Sequence, residues 1–363
     1  MIERLSSIRK AEAKNNDENL QLKEDIKVKE ILVSIPVKER HKAYLENTVA
    51  DIPGSGDVHF LYELYENITQ KMVENADVII GTVPAKYLKG AKHLELVQLS
   101  SAGAVEYTHP GVMPSGARLA NATGAYGPAI SEHMLGMTLM LMKKLNHYQD
   151  NMKTHDWKDE GPVKTIVDSV TLVVGMGDIG GQFARKMNAL GSHVLGIRRN
   201  KVSKPDFLEG MYQMDALDDL LGRADIVACS LPGTKETDHL FRKERLSKMK
   251  RGAILLNVGR GSLIPTEDLC EALKSGRLGG AAVDVTETEP LPADSPLWDA
   301  PNLLVTPHVS GNYHAVQILE SIVEIAAYNL RQIFSGGHIK NEVDFQTGYR
   351  KFCEPAGKQE EMK

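Results

Sequence analysis

Short apolar runs recur along most of this 363-residue chain, each bounded by polar or glycine-containing segments and spaced by stretches of helical periodicity. ILVSIP, VHFLYE, DVIIGTVP, LELVQLSS and ARLANATG form a first series from Glu30 onward. VTLVVG, HVLGIRR, DIVACSLP, AILLNVG, GGAAVDV and NLLVTPH form a second. Strands alternating with helices of this length imply right-handed crossovers and parallel sheets covered by helices on both faces. The pattern therefore predicts two doubly wound α/β units.

Between the two series, Pro128 to Met152 reads as one long helix, apolar on several faces, with Pro128 near its first turn, where a missing backbone donor does no harm. Such a helix must be buried between domains or between subunits. Its Met134, Met137, Met140 and Met142 read as core packing and not as an adaptable binding face. Tyr313 to Phe334 is a final long helix, followed by too few apolar positions for another domain, so the tail is expected to pack back on the first unit. Twelve of the first 27 residues are charged, which predicts a solvated extension outside the fold.

Composition narrows the function classes. The chain is too long for one ordinary core, and 42% hydrophobic residues can fill two. A net charge of −5, with Lys and Arg scattered among acids, supplies no basic field for nucleic acid. Cys229, Cys270 and Cys353 lie far apart, which argues against a disulfide framework or a structural zinc site and fits a reducing, cytoplasmic setting. No metal site is expected. The first residues lack an apolar signal core, and Leu135 to Met142 is far too short to span a membrane.

Gly175-Met176-Gly177-Asp178-Ile179-Gly180 is a G-x-G-x-x-G set directly after the strand VTLVV and before a helix. The first glycine permits the turn, the second lets backbone approach a pyrophosphate, and the third lets helix and strand pack closely. In that context the motif predicts dinucleotide binding, with Asp178 and Ile179 inside the loop. At the end of the next strand, where an acid would bind both ribose hydroxyls, stand Arg198 and Arg199. Paired guanidinium groups favour a 2′-phosphate, so NADP(H) is expected over NAD(H), with NAD(H) still usable.

Three chemistry-bearing residues follow in order, each just past a predicted strand: Arg260 in NVGRG, Glu289 in ETEPLP and His308 in TPHVSG. In an open parallel sheet, ligands occupy the crevice beyond the carboxyl ends of the strands. Reduction of a 2-keto acid needs an anion clamp, which the planar fork of Arg260 supplies, with Gly259 and Gly261 leaving room for a ligand. His308 is the proton donor, and Glu289, stiffened by Pro290 and Pro292, is a carboxylate that keeps an imidazole charged. His133 and His314 are rivals placed in predicted helices. Asp284 reads as a cofactor or second-sphere residue, and Tyr107 and Tyr126 are candidates for the pocket wall.

Together these motifs resemble the D-isomer-specific 2-hydroxyacid dehydrogenase family over about Glu30 to Phe345. The resemblance implies two Rossmann-like domains: a substrate (catalytic) domain from residues 28–127 and 313–350, and a dinucleotide-binding domain, residues 128–312, inserted between. It assigns catalysis to Arg260, Glu289 and His308, cofactor contacts to Leu231, Pro232 and Thr237, nicotinamide flanks to Val258 and Asp284, and the substrate carboxylate to Ser101, Ala102 and Gly103. It also implies a homodimer formed through the inserted domain. Ala104-Val105-Glu106 departs from the family's commoner valine-aspartate, which leaves substrate identity open. The expected activity is NADP(H)-preferring interconversion of small 2-keto acids and D-2-hydroxy acids. Alternatives are an NAD enzyme like phosphoglycerate dehydrogenase and a non-catalytic, cofactor-sensing corepressor. Glu289 argues against formate dehydrogenase, whose motif carries glutamine there.

Overall fold

A computed structural model of the chain describes residues 28–351 apart from 51, 53–56, 202, 314 and 349. The extension expected over residues 1–27, His314 and Cys353 lie outside the described residues. The chain divides into two units, Gly124–Ile318 and the segments on either side of it.

The first unit holds a five-stranded parallel sheet in the order β2-β1-β3-β4-β5. Its strands are β1 (Lys29–Ser34), β2 (Val58–Tyr62), β3 (Val78–Gly81), β4 (Leu96–Gln98) and β5 (Arg118–Ala120). Helices α1 (Glu39–Ala50), α2 (Gln70–Asn75), α3 (Ala85–Leu88) and α4 (Val105–Thr108) connect them. The central strands are buried on both faces, as a parallel sheet under helices requires. The end of the chain returns to this sheet: Val343 N–H donates to Leu119 O at 2.8 Å, and Asn329 Nδ2 donates to Gln98 Oε1 at 2.5 Å, with both amide side chains buried.

The second unit holds a seven-stranded parallel sheet in the order β12-β11-β10-β9-β6-β7-β8. Its strands are β6 (Val170–Val174), β7 (His193–Ile197), β8 (Gly210–Tyr212), β9 (Ile226–Cys229), β10 (Ala253–Asn257), β11 (Leu278–Val283) and β12 (Leu303–Val305). Its helices are α5 (Gly127–Met142), α6 (Leu145–Thr154), α7 (Asp178–Ala189), α8 (Leu217–Leu221), α9 (Lys243–Lys248) and α10 (Thr266–Lys274), and α11 (Val316–Ser335) leads out of it. The sheet builds outward from β6 to β8, then reverses to β9 and runs to β12, so the switch point lies between β6 and β9. Ligands of doubly wound sheets bind outside the strand ends at such a point.

Two expectations are corrected. The stretch read as one helix over 128–152 is two, because Lys144 adopts the left-handed conformation (φ 55°) and ends the run before Leu145. Nor does its apolar half wait for another domain: Met134, Met137 and Met142 are buried within their own unit, and α5 packs on α7, β10 and β11. β8 had no counterpart in the pattern, since three residues at a sheet edge carry no periodicity. Among the described residues no helix is long and apolar enough to cross a membrane, and no group of three His, Cys, Asp or Glu could hold a metal ion.

Candidate active site

The Gly175–Gly180 turn joins β6 to α7 at the switch point. Gly175 has φ +108°, which side chains rarely adopt, and its carbonyl accepts Ser230 Oγ at 2.9 Å. A Cβ on Gly180 would run into that same carbonyl and lie 2.8 Å from Ser230 Oγ. Around Gly177 the situation is opposite: a Cβ there would meet nothing within 4 Å, and no side chain caps the start of α7. Open space therefore faces free amide groups at the positive end of a helix, which fits the pyrophosphate of a dinucleotide.

The side chain of Asp178 secures the chain where it enters α5. Its Oδ2 accepts the N–H groups of Gly124 and Gly127, each at 3.0 Å. Ile179 packs on the buried cluster that holds Val173 and Met176. Thr237 Oγ1 donates to Pro232 O at 2.7 Å and accepts Thr234 N–H at 2.9 Å, stapling the turn that begins at Leu231. Val258 is buried beside it, its N–H on Cys229 O at 3.0 Å. Beyond β7, Arg198 N–H reaches Tyr212 O at 3.0 Å, and Gln213 Nε2 reaches Arg199 O at 3.1 Å. The short edge strand β8 thus fixes the backbone that presents both guanidinium groups.

Arg260, Glu289 and His308 follow β10, β11 and β12, three neighbouring strands. Arg260 is exposed and its Nη1 donates to Gly259 O at 2.7 Å. The glycines beside it do not make room for a ligand, as their sequence suggested; they let other backbone come close. A Cβ on Gly259 would overlap Leu231 O, and one on Gly261 would overlap the Thr286 carbonyl and lie 2.6 Å from Glu287 N. Arg260 is therefore wedged between the Leu231 turn and the loop that carries Glu289.

Glu289 Oε2 receives His308 Nδ1 at 2.8 Å, while Oε1 accepts Thr286 N–H at 3.0 Å. Since a carboxylate only accepts, Nδ1 is the donor and Nε2 faces away from this pair. His308 sits at φ 52° on an Asp284 cradle. Buried Asp284 accepts Thr306 Oγ1 at 2.6 Å, Val309 N–H at 3.0 Å and Ser310 N–H at 3.1 Å, together with Ser310 Oγ, while its carbonyl takes His308 N–H at 2.8 Å. These bonds spend its carboxylate on the histidine's loop. Thr306 gives its proton to Asp284, so His133 Nε2, 3.1 Å away, donates to Thr306, and this rival imidazole serves as a prop.

Glu287 also falls within this unit, and the reading of the sequence passed it over. Its Oε1 takes His239 Nε2 at 3.0 Å and its Oε2 takes Thr266 N–H. Burial pushes its carboxyl up, but the bonds from Thr266 and His239 outweigh that and leave it below the ordinary glutamate value. The acid two residues before Glu289, and a histidine two after Thr237, were the signals available in the sequence.

In the first unit, the loop Ser101–Gly103 follows β4. Ser101 Oγ donates to Gly103 O at 2.6 Å, and Asn121 Nδ2 holds Ala102 O at 2.9 Å. Tyr107 is no open pocket wall: it is buried, its hydroxyl donates to Val83 O at 2.7 Å and accepts Val83 N–H at 3.2 Å, and burial pushes its pKa up to about 12. Tyr126 is half-buried and its phenol is likewise raised by burial.

A sequence model of the "D-isomer specific 2-hydroxyacid dehydrogenase, NAD binding domain" matches residues 135–310. The chain is 30% identical to a glycerate dehydrogenase of Methylorubrum extorquens over 269 residues, 70% of this chain and 82% of that protein. Its fold matches a D-isomer specific 2-hydroxyacid dehydrogenase family protein from Aeromonas salmonicida with TM-score 0.77 and 32% identity, covering 88% of this chain and 100% of that one. It also matches an NADPH-dependent glyoxylate/hydroxypyruvate reductase from Sinorhizobium meliloti, solved with NADP and sulfate, with TM-score 0.73 and 26% identity over 88% of this chain and 100% of that one.

Proposed function

The chain belongs to the D-isomer-specific 2-hydroxyacid dehydrogenase family, and from that premise we propose that this NAD(P)-dependent enzyme is an NADP(H)-preferring reductase of small 2-keto acids, such as glyoxylate and hydroxypyruvate. In this reading the Gly124–Ile318 unit is the dinucleotide domain and the other unit the substrate domain. The 2.8 Å bond between His308 and Glu289, at the strand ends and next to the Arg260 loop's own contact with Thr286, carries the reading.

The Gly175–Gly180 turn would hold the pyrophosphate of a nicotinamide dinucleotide, which when bound would supply the hydride for the keto carbon. His308 Nε2 gives a proton to the carbonyl oxygen as negative charge builds there, and takes it back from the hydroxyl in the reverse direction. Glu289 holds the ring with Nδ1 protonated and offsets the charge of the imidazolium. Arg260 pairs the substrate carboxylate through its planar fork and can aim a second donor at the carbonyl oxygen. Arg198 and Arg199 stand where an acid would select the unphosphorylated ribose, and a 2′-phosphate suits them better.

Met152, Trp157, Val163 and Val167 are exposed on α6 and the segment after it, and we assign these apolar side chains to contact with a second copy of the chain, making a homodimer. Light scattering on the purified protein checks the mass. The buried thiols of Cys229 and Cys270 suit a cytoplasmic setting. The deciding experiment follows nicotinamide absorbance with glyoxylate, hydroxypyruvate, pyruvate, ketopantoate and branched keto acids, using NADPH and NADH in parallel. Turnover of a short keto acid at higher kcat/KM with NADPH is expected. Equal efficiency with NADH removes the cofactor preference, and no turnover on any acid despite tight cofactor binding removes the reductase.

A further inference from the structure

The loop after β11 carries two histidine–carboxylate pairs and not one. Glu289 faces His308, while Glu287 binds His239 at 3.0 Å and caps the start of α10 through Thr266 N–H. His239 stands two residues beyond Thr237 of the cofactor turn, with φ 50° and its own N–H on Ser262 O at 2.7 Å. Ser262 in turn is two residues past Arg260. Glu287 therefore fastens three segments to one another: the Leu231–Thr237 turn, the Arg260–Thr266 stretch and the Thr286–Glu289 loop.

The other hydrogen bonds described for Thr286–Glu289 run within it, from Thr286 Oγ1 to Thr288 O at 2.8 Å and from Thr286 N to Glu289 Oε1 at 3.0 Å, or reach His308. The first two shape the loop without fixing where it stands, and the third is the contact whose register is in question. The Gly261–Thr286 contact restrains one end of it. We propose that the His239–Glu287 pair is the positioning device that holds Glu289 in register with His308, an inference that rests on the reductase reading of the same site. Its acceptor must be charged or at least twofold: the carboxylate serves two donors from different segments, and an amide would turn an N–H toward one of them. His239 need only donate. The groups facing His239 are Glu287 and, at 3.9 Å, Asp238, whereas His308 faces Glu289 and lies over Asp284.

The test compares Glu287→Gln, His239→Ala, His239→Gln and the double variant Glu287→Gln/His239→Ala with the full-length enzyme. Keto-acid reduction is measured at saturating NADPH, and imidazole nitrogen spectra report the His308 tautomer, its signal assigned with His308→Gln. A misplacement of about 1 Å at a reacting centre can cost on the order of 10²-fold in rate, and a carboxylate that acts through the imidazole is expected to cost less, about 10-fold. E287Q and H239A should each lower kcat about 10-fold with both KM values within about threefold, the double variant should be no worse than either single one, and H239Q should recover most of the rate. His308 should lose its uniform Nδ1–H form in E287Q and H239A. Unchanged kcat and tautomer in folded E287Q overturn the proposal, as does a loss confined to the cofactor KM, which would place the pair in cofactor binding alone. If the wild-type enzyme reduces no keto acid, the reductase reading has failed, and the His308 tautomer still decides whether Glu287 positions Glu289.

Discussion

Replacing Gly261 by alanine tests whether loop packing, and not ligand access, explains the glycines beside Arg260. The backbone at Gly261 is outside the left-handed region, so alanine meets no conformational obstacle and only the space matters. Its Cβ would overlap the carbonyl carbon and oxygen of Thr286 and come within 2.6 Å of Glu287 N, and all three are backbone atoms that no rotamer change can move. Overpacking of this kind costs about 1–3 kcal/mol, and the absence of any flexible neighbour puts the estimate at the upper end, about 3 kcal/mol. That lowers the folded-to-unfolded ratio by about two orders of magnitude. For a unit the size of Gly124–Ile318 it lowers Tm by about 6–12 °C. Because Arg260 and Glu289 ride on the two segments pushed apart, kcat/KM measured well below Tm should also fall at least about 10-fold. Thermal unfolding by circular dichroism and steady-state reduction assays read the two effects. Gly136→Ala is the control: in the middle of α5, with nothing within 4 Å of its Cβ, it should gain about 0.5–1 kcal/mol. A Gly261→Ala enzyme with Tm within about 1 °C of wild type and unchanged kcat/KM refutes the packing argument.

Other consequences are as direct. His308→Gln should lose about 10²–10⁴-fold in kcat while cofactor affinity, measured by NADPH fluorescence, stays put; Glu289→Gln should lose less. Arg198→Asp should turn the preference toward NADH by raising KM for NADPH at least about 10-fold, and an unchanged NADPH/NADH ratio discounts the arginines. Asp284→Asn turns an amide toward the donors of the His308 loop and should cost about 1–3 kcal/mol with a fall in kcat; chemical denaturation and turnover measure the pair of effects. Tyr107 keeps its proton to about pH 12 in the folded chain but loses it near 10 when unfolded, so unfolding is favoured as pH rises through that window. About 2–3 kcal/mol should vanish there, and Tyr107→Phe should flatten the alkaline limb of a stability–pH curve while lowering stability at neutral pH.

Strands were legible wherever burial on both faces left a near-continuous apolar run, as in VTLVV and AILLN, because a parallel sheet under helices enforces that pattern. The dinucleotide turn was legible because its glycines fall in a fixed order between a strand and a helix: Gly175 takes φ +108°, a Cβ on Gly180 would strike the Gly175 carbonyl, and Gly177 leaves the approach to α7 open. What sequence could not supply was anything decided by partners far along the chain. Lys144 breaks a run in which helix-forming residues continue on both sides, Gly259 and Gly261 answer to Leu231 and Thr286, and Asp178 answers to Gly124 and Gly127. Glu289 and His308 could be named as candidates, yet the same pattern offered His133 and Asp284, and only the bonds through Thr306 separate the props from the pair.

Stability gives little reason for His308 to be where it is. Its ion pair with Glu289 is exposed at 50% and 38% of the two side chains, and such pairs contribute under about 1 kcal/mol in water. Its backbone at φ 52° costs about 1–2 kcal/mol for a residue with a Cβ. The balance at that residue is unfavourable, and it is offset by Asp284, whose buried carboxylate and carbonyl gather the N–H groups of His308, Val309 and Ser310 and the hydroxyls of Thr306 and Ser310. A buried acid saturated by one short loop, under a strained and solvent-facing imidazole, is an arrangement that folding alone does not select; strain held in place by its surroundings concentrates where chemistry occurs. The same reasoning sets the roles apart: Asp284 holds the histidine's backbone, Glu289 its ring, and neither can replace the other, because one is saturated with loop donors and the other faces solvent.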